Sequence, residues 1–420
     1  MKARHAVSVV GIGDDGCASL TSRGAAAVAR AEVLVGGERQ LAFFPQFTGE
    51  RLVVKSNLDG LPRHVAALSD EHTVCVLASG DPLFFGIGAK VAAAVGGDHV
   101  EFLPAPSSVQ WAFARARLPW DDAAVLSVHG RALGGLATRL RGVSKAAVLT
   151  DAENGPRRIA EHLLAHGVTD LRTWVCEHLG GPGERVRSLS LEELARTDDI
   201  APLNVLLLVR TDVDWRPPPS IPFLHEDAFA KRMPKNGLIT KREVRLLSLG
   251  ALALRPDAVV WDVGAGSGSV SVEAAMLAPR GQVHAVEVDP EGVALCRENA
   301  RAHGVDNVHV VEGRAPEALS GLPTPDAVFV GGSKGSLDAI VAASLSALRP
   351  GGRLVVNAVT LENVAEAYAA FRARGLEPEV TLVQIARGVA LARYQRYEAL
   401  NPIHLLAVEK PVVAQAPEPT

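Results

Sequence analysis

Cysteine is scarce in this chain: Cys17, Cys75, Cys176 and Cys296 are its only thiols in 420 residues. They stand far apart and no two form a Cys-x-x-Cys pair. That spacing excludes a structural zinc site and a disulfide framework, and it fits a reducing cytoplasm. A basic excess is also missing. With a formal net charge of −4, the sequence lacks the electrostatic footprint of a nucleic-acid binder. Long apolar runs are absent too: the best stretch, Val205–Val209, falls far short of the roughly 20 residues that span a bilayer. The opening MKARHAVSVVGIG has basic residues but only a short apolar run, so it reads as a first strand rather than a signal peptide. The expectation is a cytoplasmic protein with no metal, no nucleic acid and no membrane partner. Core material is ample at 48% hydrophobic residues, enough for two or three domains.

What is present centres on Val259–Ser269, VVWDVGAGSGS. An apolar run ends in Asp262, then Gly264, Gly266 and Gly268 occupy every second position, and an Ala- and Val-rich stretch follows at helical spacing. This is strand, glycine loop, helix. Glycines let backbone N–H groups approach a ligand closely, and the helix N-terminus adds partial positive charge. A dinucleotide fingerprint needs G-x-G-x-x-G, and Ser269 stands where its third glycine belongs, which counts against a dinucleotide-dependent oxidoreductase. A second strand, Gln282–Val288, carries Glu287 near its end. An acid about 20 residues past such a loop is placed to accept hydrogen bonds from ribose hydroxyls. The plainer alternative is a strand–helix turn that needs glycine only for its backbone.

The first half alternates strands with helical segments. Ala6–Val10, Val33–Val35, Leu52–Val54 and Val74–Leu77 read as strands and Ser19–Arg30 as a helix, which predicts an α/β unit with a largely parallel sheet. Polar, glycine-bearing strand ends recur: Gly11-Ile-Gly13, Ser79-Gly-Asp81-Pro82, His129-Gly-Arg131 after Ala124–Val128, and Asp151–Pro156 after Ala146–Thr150. Asp81 can cap a helix, and Ser107 or Ser108 can cap the helix Val109–Arg117. Such strand ends make a ligand rim.

Thr211–Lys235, with Arg216-Pro-Pro-Pro219, Pro222 and Pro234, forbids a long helix or central strand and predicts a stiff connector. The expected boundaries are 1–212, a linker 213–235, a second domain 236–410 and a disordered tail 411–420. The second domain opens near Gly237 with Thr240 and Glu243 spaced as a capping box ahead of helix Lys241–Ala253. Strands follow at Val308–Val311, Asp326–Val330, Arg353–Val356, Val380–Ile385 and His404–Val408, and Pro316 is placed to start a helix.

The order GIG, SGDPLFFG, PAPSSVQWAFARARLPWDD, SVHGR, LTDAENGP and VCEHLGGPGERV resembles the corrin-forming branch of the class III tetrapyrrole methyltransferases over residues 5–212. DVGAGSGSVSVEAA, with LITKREVR, GRAPEAL and FVGGSKG, resembles the class I methyltransferase module that methylates C15 and decarboxylates in the same pathway. The resemblance implies an α/β fold throughout: two α/β subdomains, then a Rossmann-like seven-stranded sheet. It implies S-adenosylmethionine at two sites, one per half, and a precorrin substrate, or alternatively its cobalt-containing equivalent or another small molecule, methylated at carbon 5 by the first half. The second half would methylate carbon 15 and remove the ring-C acetate carboxyl. A homo-oligomer is implied as well. Gly331-Gly-Ser333 stands where nucleic-acid amino-methylating members carry an amide clamp, which counts against an RNA methyltransferase; a two-domain sensor or scaffold without activity is the reading outside enzymes. Expected cofactor residues in the second half are Thr240, Gly264, Ala265, Gly266, Ser267, Gly268, Glu287 and Ala315, and in the first half Gly11, Gly13, Gly80, Asp81, Ser107 and Ser108. Substrate or catalytic candidates are His129, Arg131, Lys241, Arg242, Ser333 and Asn357, with Arg314 able to hold a carboxylate.

Overall fold

The computed structural model describes residues 6–54, 60–232 and 239–412. Pro234, Gly237 and residues 413–420 of the expected tail lie outside them. Two compact units emerge. The first comprises Met1–Ala132, Ser144–Glu161 and Asp170–Trp215; the second comprises Arg216–Thr420 with two earlier segments, Leu133–Val143 and His162–Thr169. The main crossing, after Trp215, falls inside the span read as a connector. Nothing in the sequence pattern marks the two earlier segments.

In the first unit, β1 (Val7–Ile12), β2 (Val33–Gly36), β3 (Glu50–Val53), β4 (Val74–Ser79) and β5 (Val100–Leu103) form one sheet in the order β3-β2-β4-β1-β5. All its pairs are parallel. Its inner strands VSVVGI and VLVG are buried at every residue, as parallel strands covered on both faces require. A second sheet of the unit, β6 (Ala124–Ser127), β7 (Lys145–Leu149), β8 (Leu171–Glu177), β9 (Arg185–Ser190) and β10 (Asn204–Arg210), runs β6-β7-β10-β8-β9. Only β6 and β7 pair in parallel there; β10 is antiparallel to β7 and β8, and β8 to β9. The expectation of a largely parallel sheet therefore holds for the first sheet and fails for the second, where β8 returns directly as β9 with no crossover helix.

The second unit is built on seven strands: β11 (Val259–Val263), β12 (Gln282–Glu287), β13 (Val308–Glu312), β14 (Ala327–Val330), β15 (Arg353–Ala358), β16 (Glu379–Val383) and, after an inserted hairpin of β17 (Ala386–Leu391) and β18 (Tyr394–Ala399), β19 (Ile403–Glu409). Their order is β13-β12-β11-β14-β15-β19-β16, with β19 antiparallel to both neighbours and the rest parallel. The order reverses between β11 and β14, the switch point at which open α/β sheets hold ligands beyond the carboxyl ends of their strands. Trp261, Phe329 and Phe371 are fully buried around this sheet.

Three local expectations change. Part of the connector is core: Phe229 is buried, Leu224 N donates to Glu273 Oε1 at 2.9 Å, and Ala230 N donates to Asn299 Oδ1 at 2.7 Å. Arg245 and Glu273, both fully buried, pair at 2.8 Å beneath this segment, and Arg245 also donates to Thr240 O and Leu224 O. The proline run sets where the connection ends, not where the fold begins. The Thr240–Glu243 capping box does not form either: the helix is Arg242–Leu252 with Lys241 at its N-cap and no side-chain cap of its own. Glu226 Oε1 accepts from Arg242 N at 2.8 Å instead, and Glu243 turns to Arg387. A distant carboxylate thus satisfies one of the orphan amides that every helix start presents. Pro316 likewise begins only a short 3₁₀ turn, Glu317–Leu319. Lys410, the last residue of the expected second domain, donates to Leu348 O at 2.6 Å.

Candidate functional site

In the second unit a cavity of about 740 Å³ opens at the carboxyl ends of the parallel strands. Gly264 follows β11 with a left-handed φ of 75°, and a Cβ there would lie 2.6 Å from Gly332 O. Only glycine lets the loop after β11 pass so close to the loop after β14. Gly264 N and Ala265 N both donate to Val286 O, at 2.9 and 3.1 Å. Gly266 N donates to Glu287 Oε2 at 2.8 Å, while Glu287 Oε1 accepts from Val288 N and Asp289 N at 2.9 and 2.8 Å. The acid at the tip of β12 therefore fixes the glycine loop and its own strand end together.

Of the residues expected here, Thr240, Lys241, Gly264, Ala265, Gly266, Ser267, Glu287, Arg314, Ala315, Ser333 and Asn357 all line the cavity. Two do not. Gly268 sits behind the loop at the N-cap of helix Ser269–Leu277, with φ 76°, and a Cβ there would meet Cys296 Sγ at 2.4 Å; its lack of a side chain serves helix packing. Arg242 points away, its guanidinium 3.2 Å from Glu243 and 4.9 Å from the Phe223 ring. Asn357 is braced by Ser248, donating to its Oγ at 2.9 Å. The sequence reading missed Arg232, paired with Asp289 at 2.5 Å and Glu291 at 2.8 Å, as well as Lys334 and Asn401. Asn401 follows the inserted hairpin, which no turn signal announced.

Two buried polar atoms on this wall lack a protein partner among the described residues: Asp262 Oδ1 and Ser267 Oγ. Asp262 Oδ2 accepts from Ser271 Oγ. Complete burial, with the neighbouring Glu287 charge adding to it, pushes the Asp262 carboxyl up to about 6. Unmet buried polar atoms are rare and costly, and the Asp262 carboxylate suits a ligand that brings donors and positive charge.

The first unit holds a cavity of about 450 Å³ lined by Gly13, Gly80, Asp81, Ser107 and Ser108. Gly11 does not line it: a Cβ there would overlap Gly80 O at 1.9 Å and Ala105 N at 2.5 Å, so this glycine allows β1 to sit against two loops. Asp81 starts no helix; its Oδ1 accepts from Leu83 N at 2.8 Å in a turn. Ser107 is the cap, exchanging bonds with Gln110 at the start of helix Ser108–Ala116. His129 and Arg131 lie outside this cavity and are exposed. Asp151 Oδ2 takes Gly130 N at 2.6 Å and Asn154 donates to Arg131 O at 2.8 Å, folding the strand end outward. The amides of Asn154 and Gly130 hold the Asp151 carboxyl below its usual range. Unforeseen on the wall are Asp14, Trp111 and Phe85. Asp14 bonds Arg39 and takes His178 Nδ1 at 3.2 Å.

Residues 6–195 match the model of the tetrapyrrole (corrin/porphyrin) methylases, and residues 231–410 match that of the precorrin methyltransferase domain. A Sinorhizobium protein, precorrin-6Y C(5,15)-methyltransferase [decarboxylating], is 41% identical over 360 residues, covering 85% of each chain. The chain belongs to this family. Two shorter relatives carry single activities in their names. A probable cobalt-precorrin-6B C(15)-methyltransferase (decarboxylating) from Pyrobaculum calidifontis is 44% identical across 40% of this chain and 87% of its own. A cobalt-precorrin-7 C(5)-methyltransferase from Salmonella typhimurium is 38% identical across 44% of this chain and 90% of its own. Every residue of the larger cavity falls within the stretch matched to the precorrin methyltransferase domain. In this family, then, the first half is a tetrapyrrole methylase and the second a Rossmann-like methyltransferase. No helix among the described residues is long and apolar enough to cross a membrane.

Proposed function

We propose that the chain transfers methyl groups from S-adenosylmethionine to carbons 5 and 15 of precorrin-6Y and removes the ring-C acetate carboxyl, giving precorrin-8X in cobalamin synthesis. Each unit holds one cofactor; the first serves carbon 5, the second carbon 15 and decarboxylation. The metal-free substrate is favoured because both modules are fused in one chain, as in the relative matching 85% of it, which is named for a precorrin without cobalt. A symmetric homo-oligomer is part of this reading, and the exposed Leu391, Tyr394 and Tyr397 on the inserted hairpin support it.

The observation that carries the reading is the pair of unmet polar atoms, the acceptor Asp262 Oδ1 and the hydroxyl Ser267 Oγ, in a glycine-lined cavity with Glu287 on its wall. In this reading Glu287 takes ribose hydroxyls, Ala315 packs against the adenine and Thr240 closes the entrance; all three line the cavity. The bound cofactor supplies a methyl already activated by a sulfonium charge. What remains for the protein is alignment, exclusion of water and a route for one proton, because replacing a ring C–H by C–CH₃ releases H⁺. Lys241, Arg314 and Ser333 on the rim can hold the substrate's carboxylates. Asn357, braced by Ser248, offers an oriented amide. For decarboxylation the pocket must keep one carboxylate poorly solvated while the electrons of the breaking C–C bond enter the conjugated, protonated macrocycle. In the first unit Gly13, Gly80 and Ser107 would hold the cofactor; His129 and Arg131 belong to substrate binding only if the substrate extends beyond the cavity.

Mass spectrometry of the product from precorrin-6Y tests the reading directly. Two methyls gained and one carboxyl lost are expected; any other count refutes it.

A further inference from the structure

Phe85 lies on the wall of the first unit's cavity, yet it is 57% exposed and its φ is 54°. A left-handed backbone is a strained state for a bulky residue, and it persists only where the surroundings impose it. The loop imposes it here. Asp81 O accepts from Phe84 N at 3.1 Å, Pro82 O accepts from Gly88 N at 3.0 Å, and a Cβ at Gly86 would lie 2.4 Å from Pro82 O. Phe84 turns inward onto the cluster of Val109, Phe113 and Leu207 and meets the Phe85 ring edge-on, centroids 5.1 Å apart at 88°. With Phe84 anchored, Phe85 is turned out. Leu83, 55% exposed, extends the apolar lip beside it.

Glycine at position 85 would relieve the backbone, and a polar side chain would suit the water it faces. The ring is held out against both. An aromatic face at a cavity mouth suits a large flat partner, whereas the polar contacts expected of a nucleoside lie deeper, at Gly80 and the buried Ser107. We infer that Phe85, with Leu83, is the platform on which the flat face of the macrocycle rests while carbon 5 is presented, and so a substrate-binding residue of the first methyl transfer. This rests on the assignment of that cavity to carbon 5.

The test uses the full chain, precorrin-6Y and ¹³C-methyl S-adenosylmethionine. It follows the carbon-5 methyl by NMR and cofactor uptake by calorimetry, for Phe85→Gly and Phe85→Tyr. Phe85→Gly is expected to raise KM for carbon-5 methylation roughly tenfold, to keep cofactor affinity, and to melt no lower than wild type. Phe85→Tyr should stay close to wild type. An unchanged KM, a lost cofactor affinity or a lower melting temperature in Phe85→Gly would each overturn the inference. Uptake of a single cofactor equivalent by the wild-type chain would instead remove the cavity assignment beneath it.

Discussion

Glu287 accepts three backbone amides, those of Gly266, Val288 and Asp289. It is therefore both the predicted ribose acceptor and the brace of the glycine loop. Glu287→Ala leaves those donors unmet as well as the ribose hydroxyls, and cofactor affinity at the second site should fall by on the order of 2–4 kcal/mol. Calorimetry reads this directly, and unchanged binding would place the ribose acid elsewhere. Asp262 makes the opposite kind of prediction. Burial raises its carboxyl from 3.8 to about 6, so between those values the folded state binds more protons than the unfolded one. Stability from this group is therefore full below pH 3.8 and falls as pH rises to about 6. Asp262→Asn keeps an acceptor for Ser271 Oγ and removes the buried charge. It should stabilise the cofactor-free protein at pH 7.5 by on the order of 2 kcal/mol, flatten that part of the pH profile, and weaken cofactor binding. Denaturant midpoints at pH 4 and pH 7.5 measure it; equal shifts at both would contradict the charge argument.

The guanidinium of Arg387 ties the inserted hairpin to the rest of its unit. Arg387 bonds Glu226 Oε1 and Oε2 at 2.9 and 3.0 Å and Glu243 Oε2. Burial alone would raise the Glu226 carboxyl, but Arg387 and the Arg242 amide outweigh it and bring it to about 2. Its stabilisation is thus present above the ordinary carboxylate range and lost only as pH falls toward about 2. Arg387→Ala strands a nearly buried Glu226 that also caps helix Arg242–Leu252, and should cost about 3–5 kcal/mol. Amide exchange in Ala386–Leu391 and Tyr394–Ala399 should accelerate, whereas an unchanged exchange pattern would show the hairpin is held by other contacts. The parallel strands β11, β12, β14 and β15 were legible because parallel strands under two covers are written as apolar runs. The hairpin was not, because Ala392-Arg393 at its tip offers neither Gly nor Asn although Ala392 adopts φ 52°. Thr240 misled for a related reason: a capping box is a local pattern, and the acid that reaches this helix start comes from 16 residues away.

At the scale of the molecule, motif order told more than any one motif. Gly11, Gly268 and Arg242 match site motifs, yet they serve packing or neighbouring charges, a distinction that only three-dimensional contacts reveal. The two cavities lie in different units, so each can be disabled alone, which gives the sharpest test of the division of labour. Glu287→Ala should leave one cofactor equivalent per chain and let precorrin-6Y gain the carbon-5 methyl without losing CO₂. A large residue at Gly80, where φ is 61° and a Cβ would lie 3.0 Å from Ser107 Cα, should do the reverse: CO₂ is released and only carbon 15 is methylated. If instead either variant abolished both methylations and the decarboxylation while the chain stayed folded, the transfers would be coupled, one unit's product being the only substrate the other accepts. Labelled-methyl NMR with CO₂ trapping on the two variants separates these outcomes, and in the coupled case the variant that still turns over is the one whose first step is intact.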